Sequence, residues 1–223
     1  MLIDSIGGIS YRFENPHLLN EALTHRSSSS TNYERLEFLG DSVLNLVVSS
    51  RLYELRPKAQ EGDLSRMRAR LVRGTTLAKI AAGIDLGKHL NLGEGERKSG
   101  GFRRASILAD AFEAILGAMF LDGGFEACRS EILRHFDPLI EHLPDADDLK
   151  DAKTRLQEWL QARGRPLPQY DLVREEGADH AKRFTVLLHL PDDQRQVEAT
   201  GASRRRAEQA AAAAILEHMR KST

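Results

Sequence analysis

Cysteine is nearly absent from this chain: Cys128 is the single one among 223 residues. An internal disulfide is therefore excluded, and the usage fits a reducing compartment such as cytoplasm. Cys128 is expected to be a small buried residue on a helix. Long apolar runs are missing too. No stretch reaches the ~18 consecutive apolar residues of a membrane-spanning helix. The opening Met1-Leu2-Ile3-Asp4-Ser5 has neither a basic start nor an apolar core, so no secretory signal is expected. Internal repeats are absent, as is low complexity beyond the alanines near the C-terminal end. With 29% charged and 41% hydrophobic residues, the composition is that of an ordinary globular protein, cytoplasmic and without membrane contact. Its length suits one large or two small domains.

Charge is nearly balanced overall, at −1, but unevenly spread. Residues 152–223 carry 13 Lys+Arg against 10 Asp+Glu, whereas residues 1–151 carry 19 against 23. A basic C-terminal part beside an acidic N-terminal part suggests that one half binds an anion and the other acts on it. Between them, residues 141–151 are polar, acidic and broken by proline, which is linker composition. The expected organisation is a helical domain over 1–140, an acidic linker over 141–151 and a second domain over 152–221.

The first half reads as helices joined by short loops. Asn15-Pro16 is an N-cap followed by proline at the first helical position, opening a helix to about His25. Asn32 is placed to cap a long helix through about Leu55. Further helices are expected over roughly 62–72, 75–84, 103–121 and 124–140, with glycines marking the breaks. No strand candidate of any strength occurs here, so this half is all-α. After the linker the rhythm changes. A helix from Lys153 to Arg163 ends before Pro166, and strand-like runs follow at Tyr170–Arg174, Phe184–Leu190 and Gln196–Thr200, the last two joined by a turn at Pro191-Asp192-Asp193. Ser203 then caps an alanine-rich helix to about Met219. The order α-β-β-β-α gives a three-stranded antiparallel sheet with two helices on one face, an α+β unit.

Carboxylates in the first half stand where a helix ought to be greasy. Glu34, Glu37 and Asp41 recur at i, i+3 and i+7 and share one helical face. Around them the helix is almost wholly apolar: Leu36, Phe38, Leu39, Val43, Leu44, Leu46, Val47 and Val48. Such a helix is expected to be buried. Asp110 and Glu113 repeat the pattern as the sole ionisable side chains between Ser106 and Leu121. A solvated acidic face is the ordinary explanation of carboxylates at helical spacing, but neither helix has a polar face to offer solvent. Buried ionised carboxylates are costly unless a cation or hydrogen-bond donors compensate them, and a divalent metal is the natural candidate. Packed stripe to stripe, the two helices make a pocket of Glu37, Asp41, Asp110 and Glu113. Hard oxygen ligands, with no cysteine and no Glu-x-x-His pair on these helices, point to Mg2+, with Mn2+ as substitute, rather than zinc or di-iron chemistry. Such a site typically acts on phosphate esters.

The second domain has its own anion signal. Arg204-Arg205-Arg206 crowds positive charge into the first turn of the last helix, against the helix dipole. The cluster makes sense if a phosphate docks there. The loop Gly177-Ala178-Asp179-His180-Ala181-Lys182-Arg183-Phe184 places a histidine at the tip of a basic strand–strand turn, suited to reach a groove.

Taken together these motifs resemble bacterial ribonuclease III over essentially the whole chain. The nuclease-domain likeness rests on Thr24-His25-Arg26-Ser27, Glu34 to Ser42, Glu61 to Arg68, Lys98-Ser99-Gly100-Gly101 and Ser106 to Glu113. Likeness to a double-stranded-RNA-binding domain rests on the Gly-x-x-His-x-x-x-Phe loop and on Gly201-x-Ser203-Arg204-Arg205-x-Ala207-Glu208. The resemblance implies an all-α ribonuclease III-type endonuclease domain followed by the α-β-β-β-α RNA-binding domain. It also implies an endoribonuclease that hydrolyses duplex RNA to 5′-phosphate and 3′-hydroxyl ends with a short 3′ overhang, as in the processing of rRNA precursors and other structured transcripts.

Carried over residue by residue, the resemblance makes Glu37, Asp41, Asp110 and Glu113 metal ligands. It gives Asp41 and Glu113 the most direct catalytic roles and Glu34 and Glu61 auxiliary places in the acidic cleft. It sets Phe38 at a homodimer interface, where plain core packing is the competing reading. His25 is read as structural. Gln157 and His180 would face the minor groove, and Lys182, Arg204 and Arg205 would hold phosphates of double-stranded RNA. Two rivals stand beside this reading: a non-catalytic duplex-RNA-binding regulator, and a helical phosphohydrolase acting on small nucleotides.

Overall fold

In a computed structural model, residues 5–144, 151–177 and 182–221 are described. The chain divides into two compact units, Met1–Pro144 and Asp145–Thr223. Among the described residues of the first, six helices follow one another: α1 (Pro16–Ala22), α2 (Glu34–Leu55), α3 (Glu61–Leu71), α4 (Gly74–Gly83), α5 (Glu94–Lys98) and α6 (Ala105–Glu141). Single 3-10 turns at Leu86–His89 and Gly101–Arg103 flank α5. The Asn15 side chain accepts from His17 N at 3.1 Å with Pro16 in the first turn, so α1 starts as its sequence dictates. It stops at Ala22, short of His25, because Leu23 O accepts from Asn91 N at 2.8 Å and His25 N donates to Asn91 O at 3.0 Å. That long-range pairing takes the backbone groups a further helical turn would need. Asn32 Oδ1 accepts from Glu34 N at 3.1 Å and caps α2 from just outside it.

Helices α2 and α6 are the scaffold of the unit, and two glycines let them touch. A Cβ on Gly40 would lie 1.8 Å from Glu113 O, and one on Gly117 would lie 2.1 Å from Leu36 O. Backbone meets backbone there, which only glycine permits. Ile107, Phe112, Ile115, Leu116 and Met119 of α6 are buried, as are Leu36, Val43, Leu44, Val47 and Leu52 of α2, and the two helices pack on one another. α6 bends at Gly124, whose φ of 76° is left-handed, and continues to Glu141. Cys128 lies buried beyond the bend, its Sγ donating to Leu116 O at 3.3 Å, and burial pushes its thiol up to about 12. No helix among the described residues is long and apolar enough to cross a membrane.

Burial of α2 is less complete than its composition suggests. Phe38 is 78% exposed, Leu46 58% and Tyr53 75%. At i, i+8 and i+15 these side chains fall along one stripe. The apolar content that predicted an all-round buried helix is divided between the core and this open stripe, and core packing is thereby ruled out for Phe38.

The second unit runs α7 (Ala152–Gln161), β1 (Gln169–Glu176), β2 (Arg183–His189), β3 (Gln196–Gly201) and α8 (Arg204–Lys221). Its antiparallel sheet has the order β1-β2-β3. Leu172 pairs with Val186 and Leu188 with Val197, and a bulge after Leu172 shifts the far end of β1. Leu156 and Leu160 of α7, Leu188 of β2 and Ala211, Ala212 and Ile215 of α8 form the core. Small alanines let α8 lie close to the sheet. Ser203 Oγ accepts from Arg206 N at 3.3 Å and caps α8.

Candidate metal centre and nucleic-acid interface

Close approach of α2 and α6 at Gly40 and Gly117 sets the distance between their acidic stripes. Glu37 on α2 and Asp110 and Glu113 on α6 are partly buried, with carboxylate oxygens within 4.8 Å of one another. Such crowding of like charge is visible in their protonation. Burial, then Asp41, Glu37 and Asp110, pushes the Glu113 carboxyl up to about 8. Glu37 is raised by burial and by Asp110, Glu34 and Asp41, while Asp110 is raised by burial and opposed by His25. His25 is the one neighbour among these causes that acts against the rise. A carboxylate set that repels itself in this way has the donor chemistry to hold a hard divalent cation.

Asp41 stands one turn further along α2, exposed, and its Oδ1 accepts from Asn45 Nδ2 at 2.7 Å. It lies near enough to raise Glu113 but outside the tight group of three. Glu34 is exposed and pairs with Arg26 at 3.5 Å. Glu61 does not join this group: it opens α3, accepts from Ser65 Oγ at 2.7 Å, and lines a different cleft with Leu46, Tyr53 and Arg68.

A cleft of about 660 Å3 opens beside the carboxylates and is lined by Glu34, Glu37 and Asp110 together with His25, Arg26, Glu96 and Arg104. That is room for many waters or a nucleotide. Its wall is built by two motifs from different parts of the chain. Ser27 Oγ accepts from Gly93 N at 3.0 Å and lies 2.7 Å from His25 Nδ1, which accepts from Ser27 N at 3.1 Å. His25, buried and edge-on to Tyr33 at 5.7 Å, thus buttresses Ser27, whose hydroxyl tethers the start of α5 to the residues after α1. Arg104 is fixed by Glu96 at 2.7 Å and by Ser99 Oγ at 3.3 Å. Glu96 and Arg104 carry no signal in the sequence, because a charge on a loop or short helix has no periodicity to betray it.

In the second unit Gln157 is exposed on α7. Arg204 and Arg205 are exposed at the start of α8, where Arg204 Nε donates to Glu208 Oε1 at 3.0 Å. This pair offsets part of the repulsion expected of the arginine triplet. Lys182 Nζ donates to Glu175 Oε1 at 2.9 Å. His180 lies outside the described residues.

Compared with known proteins, residues 15–139 match the family described as ribonuclease-III-like, and residues 152–219 match the double-stranded RNA binding motif. Ribonuclease 3 of Idiomarina loihiensis is 53% identical over 214 residues, covering 96% of this chain and 93% of that protein. Ribonuclease 3 of Bordetella pertussis is 54% identical over 209 residues, covering 94% and 82%. The nuclease domain of ribonuclease III from Campylobacter jejuni superposes with a TM-score of 0.58 at 43% identity, over 61% of this chain and 94% of that one. A second structure of that domain, described for flexibility in a region involved in dimer formation, gives 0.57 at 46% identity, over 58% and 91%.

Proposed function

The chain belongs to the ribonuclease III family, and from that membership we propose how its two units divide the work on RNA. Its activity is that of an endoribonuclease on double-stranded RNA, with a nuclease unit that uses a divalent metal and a separate duplex-binding unit. The observation that carries the reading is the gathering of Glu37, Asp110 and Glu113 within 4.8 Å on two apolar helices. These three and Asp41 are the proposed ligands, for Mg2+ with Mn2+ as substitute. When bound, the cation supplies a water of lowered pKa and offsets charge at the phosphodiester. The chain does the rest. Asp41 and Glu113, close enough for the one charge to raise the other's pKa, take the most direct catalytic roles. Glu34 lines the entrance, and Arg26 and Arg104 bring positive potential to the same cleft. Products carry 5′-phosphate and 3′-hydroxyl ends with a short 3′ overhang, and the substrates are rRNA precursors and other structured transcripts in the cytoplasm.

The stripe of Phe38, Leu46 and Tyr53 supports a homodimer, because large apolar side chains this exposed at one helix face call for a cover. A two-fold dimer presents one carboxylate site to each strand of a duplex. Glu61, on the cleft next to Leu46 and Tyr53, then takes its auxiliary place at that interface rather than within its own chain's carboxylate group. Gln157 faces the minor groove, and Arg204, Arg205 and Lys182 hold phosphates, so that A-form shape rather than sequence is read.

The test is a gel of long duplex RNA incubated with Mg2+ and, separately, with Ca2+. Cleavage to short duplexes in Mg2+ alone supports the reading. Binding without cleavage in both selects a regulator, and hydrolysis of mononucleotides with intact duplex selects a small-nucleotide phosphohydrolase.

A further inference from the structure

An acid sits in the middle of the cationic patch of the second unit. Glu208, one turn into α8, has a side chain only 13% exposed, with each oxygen committed to a different cation. Oε2 accepts from Lys153 Nζ at 2.7 Å, and Oε1 accepts from Arg204 Nε at 3.0 Å. The Lys153 ammonium above all holds the Glu208 carboxyl below its usual range. Lys153 is itself pinned: its ammonium lies 4.3 Å from the centre of the Tyr170 ring, and its backbone N donates to Gln209 Oε1 at 3.1 Å. Asp151, which caps α7 by accepting from Thr154 N at 2.9 Å, is held down in part by Gln209 and Arg205. The starts of α7 and α8 are thus laced together through Glu208 and Gln209.

Relief of repulsion within the arginine triplet is one reason for this carboxylate, but attraction of a polyanion is none. A surface shaped only to attract a polyanion gains from losing it. Its geometry offers another reason. A free arginine side chain must surrender its rotamer freedom when it meets a phosphate, whereas one already held loses less. We propose that Glu208 is a positioning residue for duplex RNA: by bridging Lys153 and Arg204 it presets the Arg204 guanidinium and fixes the start of α8 against α7, which carries Gln157. Arg204 remains 59% exposed, so the bridge still leaves it open to a phosphate. The proposal rests on the reading that Arg204 contacts RNA.

Test it by fluorescence anisotropy of a labelled duplex of about 20 base pairs, longer than the ~16 that one such domain spans. Use the full chain without divalent metal, and compare wild type, Glu208→Gln, Arg204→Ala and the double variant. Glu208→Gln keeps shape and removes one negative charge. Positioning requires that it weaken binding about fivefold, as the loss of one good ion pair allows, although the net charge becomes more positive. In the Arg204→Ala background the same substitution must have a much smaller effect, because its beneficiary is gone. Glu208→Asp, which keeps the charge, must recover part of the loss. Tighter binding by Glu208→Gln overturns the proposal in favour of plain electrostatics. Equal weakening in both backgrounds overturns it in favour of general support of the fold, which a matching fall in melting temperature would identify. If Arg204→Ala alone leaves affinity unchanged, the contact assigned to Arg204 is wrong and the proposal falls with it. If Arg204→Ala weakens binding but Glu208→Gln does not, Glu208 alone is misassigned.

Discussion

Replacing Glu113 with Gln should make the metal-free nuclease unit more stable at alkaline pH while abolishing its catalysis. The Glu113 carboxyl rises from 4.5 to about 8 on folding, through burial and the neighbouring Asp41, Glu37 and Asp110. Because the folded value is the higher, the proton binds the folded state more tightly. The stabilisation is fully present below about 4.5 and is lost as pH rises through about 8. At ~1.4 kcal/mol per unit the whole shift amounts to at most ~5 kcal/mol, and water reaching a partly open cluster trims this to about 2 kcal/mol. Glutamine is neutral at every pH and escapes the penalty. At pH 8.5, with a chelator present, Glu113→Gln should therefore melt about 4–8 °C above wild type for a unit of this size. At pH 5 the two should nearly coincide. Adding Mg2+ or Mn2+ should reverse the order, because the cation stabilises only the chain that binds it. Differential scanning calorimetry with and without metal reads all four states. If the variant is instead less stable at pH 8.5 without metal, the carboxylates are not mutually repelling and the reasoning fails.

Gly40→Ala places a methyl group 1.8 Å from Glu113 O and must push α2 from α6; a loss of about 1–3 kcal/mol, with a larger drop in cleavage than in duplex binding, should appear in melts and kinetics. Phe38→Ala, at a side chain 78% exposed, should leave the melting temperature of the monomer little changed but shift the chain toward monomer in sedimentation; an unaltered sedimentation coefficient would argue against the interface. Arg204→Ala with Arg205→Ala should weaken binding about equally across duplex sequences and reduce the salt slope by about one for each phosphate no longer held. In turnover this reads as a raised KM with kcat nearly intact, partly restored at low salt, and a fall in kcat at intact affinity would place these arginines in the chemistry.

Much of the fold is written in local signals. Asn15-Pro16, Ser203 and the switch to alternating residues after Pro168 give starts, stops and element types, because caps and periodicity act within a few residues. Three short elements, at 86–89, 94–98 and 101–103, carry no such signal, since fewer than two turns show no period and hold only through tertiary contacts. The early end of α1 has the same origin, in the long-range pairing of residues 23–25 with Asn91. At the site, carboxylates on apolar helices were conspicuous because they break the rule of the helix that bears them. Gly40 and Gly117, which set the helix distance, were not: a glycine inside a helix reads as a weakness until its neighbour is known. Asp41 shows the limit of spacing, which gives a face of a helix but not what the face meets.

The central claim is that the carboxylates of α2 and α6 perform metal-dependent hydrolysis of duplex RNA. It is tested most directly by cleavage of end-labelled duplex RNA by wild type, Glu113→Gln and Asp41→Asn, with binding followed in parallel in Ca2+. Wild type should cut in Mg2+ to short duplexes with 5′-phosphate ends. Both variants should bind the RNA as tightly and lose turnover by orders of magnitude, with Mn2+ restoring part of it for Asp41→Asn. Turnover by Glu113→Gln at the wild-type rate in Mg2+, or cleavage by wild type in the presence of excess chelator, would contradict it.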